Sequence, residues 1–193
     1  MKFDRNYWDQ RYIDDNTGWD IGEVSTPLKA YIDQLENVNL KILIPGCGNA
    51  HEAEYLYKKG FINVFLIDLS PTALNHFKKR VQGFDDNHLI CSDFFDHYDK
   101  YDIVIEQTFF CAIDPCLRER YAQHVSEILL PNGKLTGLLF NDVLNADHPP
   151  FGGSKKEYLT YFEPYFNIEI MEEAYNSISP RKNRELFIKL IKK

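Results

Sequence analysis

The feature that most constrains this chain is a rhythm. From residue 41 onward, short runs of β-branched and apolar residues alternate with amphipathic stretches. A parallel strand is covered on both faces and needs a crossover to bring the chain back, so this alternation predicts a parallel sheet wrapped by helices. Lys41 to Ile44, Val64 to Ile67, Leu89 to Cys91, Tyr101 to Ile105 and Lys134 to Phe140 read as five strands. Between them, His51 to Lys59 carries Ala53, Leu56 and Tyr57 at helical spacing and stops at Gly60. Ser70 is an N-cap and Pro71 a first helical residue, so a second helix should run to about Gln82. Leu117 to Leu130 reads as a third helix, Pro131 to Gly133 as a turn, and Ser154 to Phe162 as a fourth helix. The segment from Asn141 to Gly153, with two prolines and two glycines, reads as a loop. Two runs, Phe166 to Met171 and Leu186 to Ile191, flank the loop 176–183 and predict an antiparallel hairpin on the sheet edge. The expected fold class is α/β: one Rossmann-like domain over residues 1–193, with a mostly parallel seven-stranded sheet, a C-terminal antiparallel hairpin and helices on both faces.

The first 23 residues stand outside this rhythm and hold both tryptophans, Trp8 and Trp19. Two indoles left in water would be costly, so the segment is expected to pack over something. Twenty-nine acids against 22 lysines and arginines give a net charge of -7, which argues against nucleic-acid wrapping and against docking on an anionic membrane. No apolar run of about 18 residues exists to span a bilayer, and the start shows no signal-peptide pattern. The four cysteines contain no CxxC pair and read as reduced thiols of a cytoplasmic protein. The six histidines lack metal-ligand spacing, so no metal is expected.

In an open α/β sheet, ligands bind outside the carboxyl ends of the strands. Four features fall there. Gly46-Cys47-Gly48-Asn49-Ala50 follows the first strand and permits close backbone approach. Asp68 ends the second strand, where a carboxylate can accept from both hydroxyls of a ribose. Asp93-Phe94-Phe95 ends the third, a pairing that suits an adenine; Glu106-Gln107-Thr108 ends the fourth, where strand order should reverse. A dinucleotide fingerprint G-x-G-x-x-G/A needs a small residue at its sixth position, and here that is His51. No GxxxxGK[ST] occurs. A nucleoside cofactor without a pyrophosphate, S-adenosyl-L-methionine, fits better.

These residues resemble the thiopurine methyltransferase superfamily, and within it the plant-type halide and thiol methyltransferases. The resemblance rests on Trp8 to Tyr12, Gly18 to Gly22 with Thr26-Pro27, Pro45 to Gly48 with His51-Glu52, Asp68, Asp93 to Phe95, Phe109 to Ile113 with Pro115, Leu130 to Gly133 and Pro149 to Phe151, in order along nearly the whole chain. It implies a class I methyltransferase fold and a cofactor site in which Trp8, Tyr12 and Trp19 line the methionine end. Gly46 and Gly48 would form the glycine loop, Asp68 would hold the ribose, and Asp93 and Phe94 the adenine. Gln107, near the methyl group, and Phe140 stand where the halide and thiol enzymes carry tyrosines. These two are the candidate acceptor-pocket residues, and their departure bears on halide activity.

The expectation is therefore a cytoplasmic, monomeric enzyme that moves a methyl group from S-adenosyl-L-methionine to a small soft nucleophile: a thiol, hydrosulfide or halide. Residues 1–23 would close over the cofactor, and the loop around 142–153 would form the acceptor pocket. A sulfonium attracts aromatic faces by roughly 0.5–2 kcal/mol each. An anionic nucleophile needs little proton chemistry, so no general base is named; for a neutral thiol, Asp20, Asp142 and His148 are the nearby candidates. Two alternatives are a thiopurine-type enzyme with a broader aromatic acceptor, favoured by a pocket of Phe109, Phe110, Phe140 and Phe151, and a non-catalytic protein that binds the cofactor.

Overall fold

Successive residues of a strand face opposite sides of a sheet, and the β-branched runs exploit this. In the computed structural model, which describes residues 3–193, Leu43 joins one apolar cluster while Ile42 and Ile44 join another, all three at most 2% exposed. The strands are β1 (Ile42–Pro45), β2 (Val64–Asp68), β3 (Leu89–Cys91), β4 (Tyr101–Gln107), β5 (Leu129–Phe140), β6 (Phe166–Glu173) and β7 (Glu185–Lys192). They form one sheet in the order β3-β2-β1-β4-β5-β7-β6, parallel up to β5 and antiparallel beyond it. The first cluster carries Tyr121, Val125 and Ile128 of helix α5 (Arg118–Ile128) and Tyr158 and Phe162 of α6 (Lys155–Phe162). The second carries Leu28 and Ile32 of α2 (Thr26–Ile32), Leu56 of α3 (His51–Lys58) and Phe77 of α4 (Pro71–Arg80). Helices therefore cover both faces, as the rhythm implies.

Strand order reverses between β1 and β4, where the expected crevice opens. The C-terminal hairpin is not appended in simple succession: β7 pairs with β5, and β6 lies outermost. The turn expected at Pro131 to Gly133 is a bulge within β5, where Tyr101 pairs with Leu129 and Ile103 with Lys134. Asn132 takes a left-handed conformation there (φ 61°), which asparagine tolerates better than most residues.

Residues 5–13 form α1 (Arg5–Ile13), capped by Asp4, whose side chain accepts from the Tyr7 amide. Asp9 anchors this helix: its Oδ1 accepts from Ser70 Oγ (2.6 Å) and the Thr72 amide (3.0 Å) at the start of α4. A carboxylate at a helix N-terminus also meets the positive end of the helix dipole. Helix α2 is absent from the sequence reading. Its signal, Ser25 and Pro27 before Leu28, Tyr31 and Ile32, covers only seven residues and is easily taken for a linker. Among the described residues no helix is long and apolar enough to cross a membrane.

Candidate active site

The carboxyl ends of β1 to β4 open onto a cavity of about 1200 Å³, closed on the far side by the N-terminal segment. Asp68, at the tip of β2, lines it and is 8% exposed. Its Oδ2 accepts from the Gly48 amide and its Oδ1 from the Ser70 amide, both at 2.8 Å. Each oxygen keeps a further lone pair, the capacity that a vicinal diol requires. Burial pushes this carboxyl up, against the two amides that favour its ionised form.

The glycine loop is shaped by its neighbours. Gly46 and Gly48 both have left-handed φ values (53° and 52°). A Cβ on Gly46 would run into the Phe109 ring, and one on Gly48 would lie 2.5 Å from the Tyr12 hydroxyl. Gly46 lines the cavity; Gly48 stands behind the wall, bound to Asp68.

Across the cavity lies an aromatic group from the N-terminal segment. Trp8, Tyr12 and Trp19 all line it, with Trp8 and Trp19 edge-to-face at 5.7 Å and Tyr12 and Trp19 at 6.0 Å. Trp19 is held from two sides. Its carbonyl accepts from Arg181 Nη2 at 2.6 Å, and the next residue, Asp20, bonds to His51 and Asn49. Asp93 and Phe94 also line the cavity; Asp93 caps a short 3-10 turn by accepting from the Phe95 amide at 2.9 Å, and Phe94 is 3% exposed.

Beyond β4 the chain turns sharply through Thr108 (φ 60°), a conformation that costs a non-glycine residue of order 1–3 kcal/mol. Glu106, fully buried, enforces it. Its Oε1 accepts from the Phe109 and Phe110 amides, each at 2.8 Å, and Tyr121 donates to its Oε2 at 2.6 Å. Burial pushes the Glu106 carboxyl up to about 7 against these three donors. The turn carries Thr108, Phe109 and Cys111 into the cavity wall. Gln107 is not among the lining residues; its Oε1 is enclosed without a hydrogen-bond partner among the described residues.

Phe140 lines the opposite end, 5.7 Å from the Arg181 guanidinium. Leu144, Pro149 and Pro150 of the following loop join it. Arg118, 2% exposed, ties that loop down by donating to the Gly152 carbonyl (2.9 Å) while pairing with Glu157 (2.8 Å). Of the four phenylalanines considered for a broad acceptor pocket, Phe109 and Phe140 line the cavity, while Phe110 and Phe151 are buried behind it. Asp20, Asp142 and His148 do not line it. Asp142 pairs with Arg184, and His148 is half exposed. Sequence reasoning missed Arg181, which lay in an apparent connector, and the anchoring role of Glu106; both depend on partners far along the chain. No group of three His, Cys, Asp or Glu that could hold a metal occurs among the described residues.

This strand order, with an antiparallel strand inserted before the edge and a diol-ready carboxylate facing aromatic rings across the strand tips, defines a class I methyltransferase. The fold is similar to that of the Burkholderia thailandensis 1,6-didemethyltoxoflavin-N1-methyltransferase, with a TM-score of 0.73 at 14% identity, covering 97% of this chain and 86% of that one. The chain belongs to the thiopurine S-methyltransferase family, whose model matches residues 3–192. It is similar to a probable thiol methyltransferase 2 of Arabidopsis thaliana (28% identity; 92% of this chain, 81% of the relative). It is also similar to a thiopurine S-methyltransferase of Nitrosospira multiformis (26%; 79% and 78%). The protein is an S-adenosylmethionine-dependent methyltransferase.

Proposed function

We propose that the acceptor is a small soft nucleophile, a thiol, hydrosulfide or halide, and that the N-terminal segment of this single domain, described from residue 3 to 23, forms the cover of the site. The observation that carries the reading is the cavity itself, with Asp68 on one wall, Trp8 and Trp19 on the other, and Phe140 at the far end. When bound, S-adenosylmethionine supplies an electrophilic methyl group on a cationic sulfur. Asp68 accepts from the ribose hydroxyls, Asp93 and Phe94 take the adenine, and Gly46 lets the backbone approach. Trp8, Tyr12 and Trp19 face the sulfonium and exclude water, which strengthens every electrostatic contact within. Gly48, behind the wall, sets the Asp68 carboxylate.

Among the described residues no histidine lines the cavity, and the three acid–base candidates stand outside it. An acceptor that arrives as an anion needs positioning rather than a base. Arg181, beside Phe140, brings a guanidinium to that end, where it also pairs with buried Glu185 (3.4 Å). The resemblance to a plant protein named for thiol methylation points the same way. A second reading, a thiopurine-type aromatic acceptor, draws on Phe109 and Phe140 in the wall and on the bacterial relative's name. The four unpaired cysteines and the net charge of -7 fit a cytoplasmic protein whose partner is a small molecule and not nucleic acid or membrane; we take it to act as a monomer. Transfer of labelled methyl from the cofactor to hydrosulfide, iodide and a thiopurine, compared in one assay, tests the proposal. Turnover of the thiopurine alone would select the second reading, and binding without turnover would reject both.

A further inference from the structure

We propose that Asp20 is a positioning residue, whose carboxylate clasps His51 and Asn49 and thereby fixes Trp19 over the cavity. The inference rests on the reading above that Trp19 faces the cofactor.

Residues 17–22 form a turn with little of its own to hold it: one backbone bond, from the Asp20 amide to the Thr17 carbonyl at 2.8 Å, and glycines at 18 and 22. Beyond its ring contacts with Trp8 and Tyr12, the position of Trp19 therefore depends on its neighbours' anchors. Asp20 supplies most of them. Its Oδ1 accepts from the Gly22 amide at 2.8 Å and lies 2.8 Å from His51 Nε2, and the Asn49 amide group donates to its Oδ2. The Asp20 and His51 side chains are 19% and 18% exposed, so the pair is partly withdrawn from water and from salt screening. Burial alone would raise the Asp20 carboxyl; the bonds from His51, Gly22 and Asn49 outweigh it and hold the group well below the usual carboxylate range. On the other side, Arg181, 8% exposed, holds the Trp19 carbonyl.

The place where Asp20 attaches gives the clasp its purpose. Asn49 and His51 flank Ala50, itself left-handed (φ 53°), at the point where the glycine loop enters α3. One residue earlier, the Gly48 amide binds Asp68. The indole and the ribose-binding carboxylate are thus both referenced to one four-residue stretch, 48–51. A ligand gripped at two points transfers its group efficiently only if those points keep a fixed separation. Neither Asp20 nor His51 lines the cavity, so the pair does not serve as an acid–base dyad facing the acceptor.

The chain has two tryptophans, so Trp8→Phe leaves Trp19 as the sole indole reporter. In that background, without ligand, Asp20→Ala and His51→Ala should each shift Trp19 emission to longer wavelength and increase its quenching by acrylamide. Asp20→Asn, which keeps an oxygen for Gly22 and His51 but sets a side-chain amide N–H against the Asn49 donor, should shift both by less than Asp20→Ala. In the otherwise native chain, Asp20→Ala should weaken S-adenosylhomocysteine binding about tenfold by calorimetry, and Asp20→Asn by less than about threefold. Asn49→Ala probes the same clasp from the glycine loop should an Asp20 variant fold poorly. Unchanged emission and quenching in Asp20→Ala and His51→Ala would overturn the clasp. Altered emission with an unchanged S-adenosylhomocysteine dissociation constant would overturn instead the placing of Trp19 at the cofactor.

Discussion

The ring of Phe109 occupies the space that a side chain on Gly46 would need. Two segments 63 positions apart in the chain, the tips of β1 and β4, are thereby fitted to each other at the topological switch point, and the fit leaves room there for backbone only. Gly46→Ala meets both this ring and an unfavourable φ of 53°. The expected loss is about 1–3 kcal/mol in stability, measured by urea unfolding, together with weaker cofactor binding as Phe109 is displaced into the cavity. A stable variant with native affinity would mean that the Phe109 turn yields freely.

Asp68→Ala removes an acceptor from two structural amides and from the proposed ribose contact. Cofactor binding should weaken by about 1–3 kcal/mol in titration calorimetry. Unchanged affinity would reject Asp68 as the ribose acceptor.

Glu106 makes a pH-dependent contribution whose sign follows from its direction of shift. Its carboxyl is pushed from an ordinary 4.5 up to about 7, so between those values the folded protein holds a proton that the unfolded chain has released. Stability from this group is present at low pH, declines as pH rises through that window, and is level above it. The span is at most about 3 kcal/mol. Glu106→Gln keeps an oxygen for the Phe109 and Phe110 amides and carries no charge. Relative to wild type, the variant should therefore gain stability between pH 5 and pH 8; a difference independent of pH would contradict this.

Arg118 anchors the 149–153 loop but does not line the cavity. Arg118→Met frees two loop carbonyls and the Glu157 carboxylate. We expect a loss of about 2–3 kcal/mol and a raised KM for the acceptor, with the cofactor dissociation constant unchanged. Equal losses for both ligands would show that the loop does not serve the acceptor end separately.

The parts legible in the sequence are those fixed by local chemistry. Ser70 caps α4 by accepting from the Ala73 amide, Pro71 opens that helix, and period-two patterning separates Leu43 from Ile42 and Ile44. Asp68, Asp93 and the glycine loop could be placed because strand tips follow from strand ends. The hairpin's insertion was not legible, since both strand orders use the same alternation. Arg181 binds the carbonyl of a residue 162 positions away, and no spacing rule reaches that far. Gln107 shows a different limit. Its motif puts it at the tip of β4, but the strained turn at Thr108 brings the two residues after it into the wall instead.

The inserted hairpin also makes one pairing carry two strands. β6 precedes β7 in the chain yet reaches the sheet only through it, because β5 offers its free edge to β7. Without residues 185–192, β6 has no other strand to pair with, and β5 presents an open edge of unpaired amides and carbonyls. Completion of the sheet thus rests on one long-range pairing, β7 on β5, which seats two strands together.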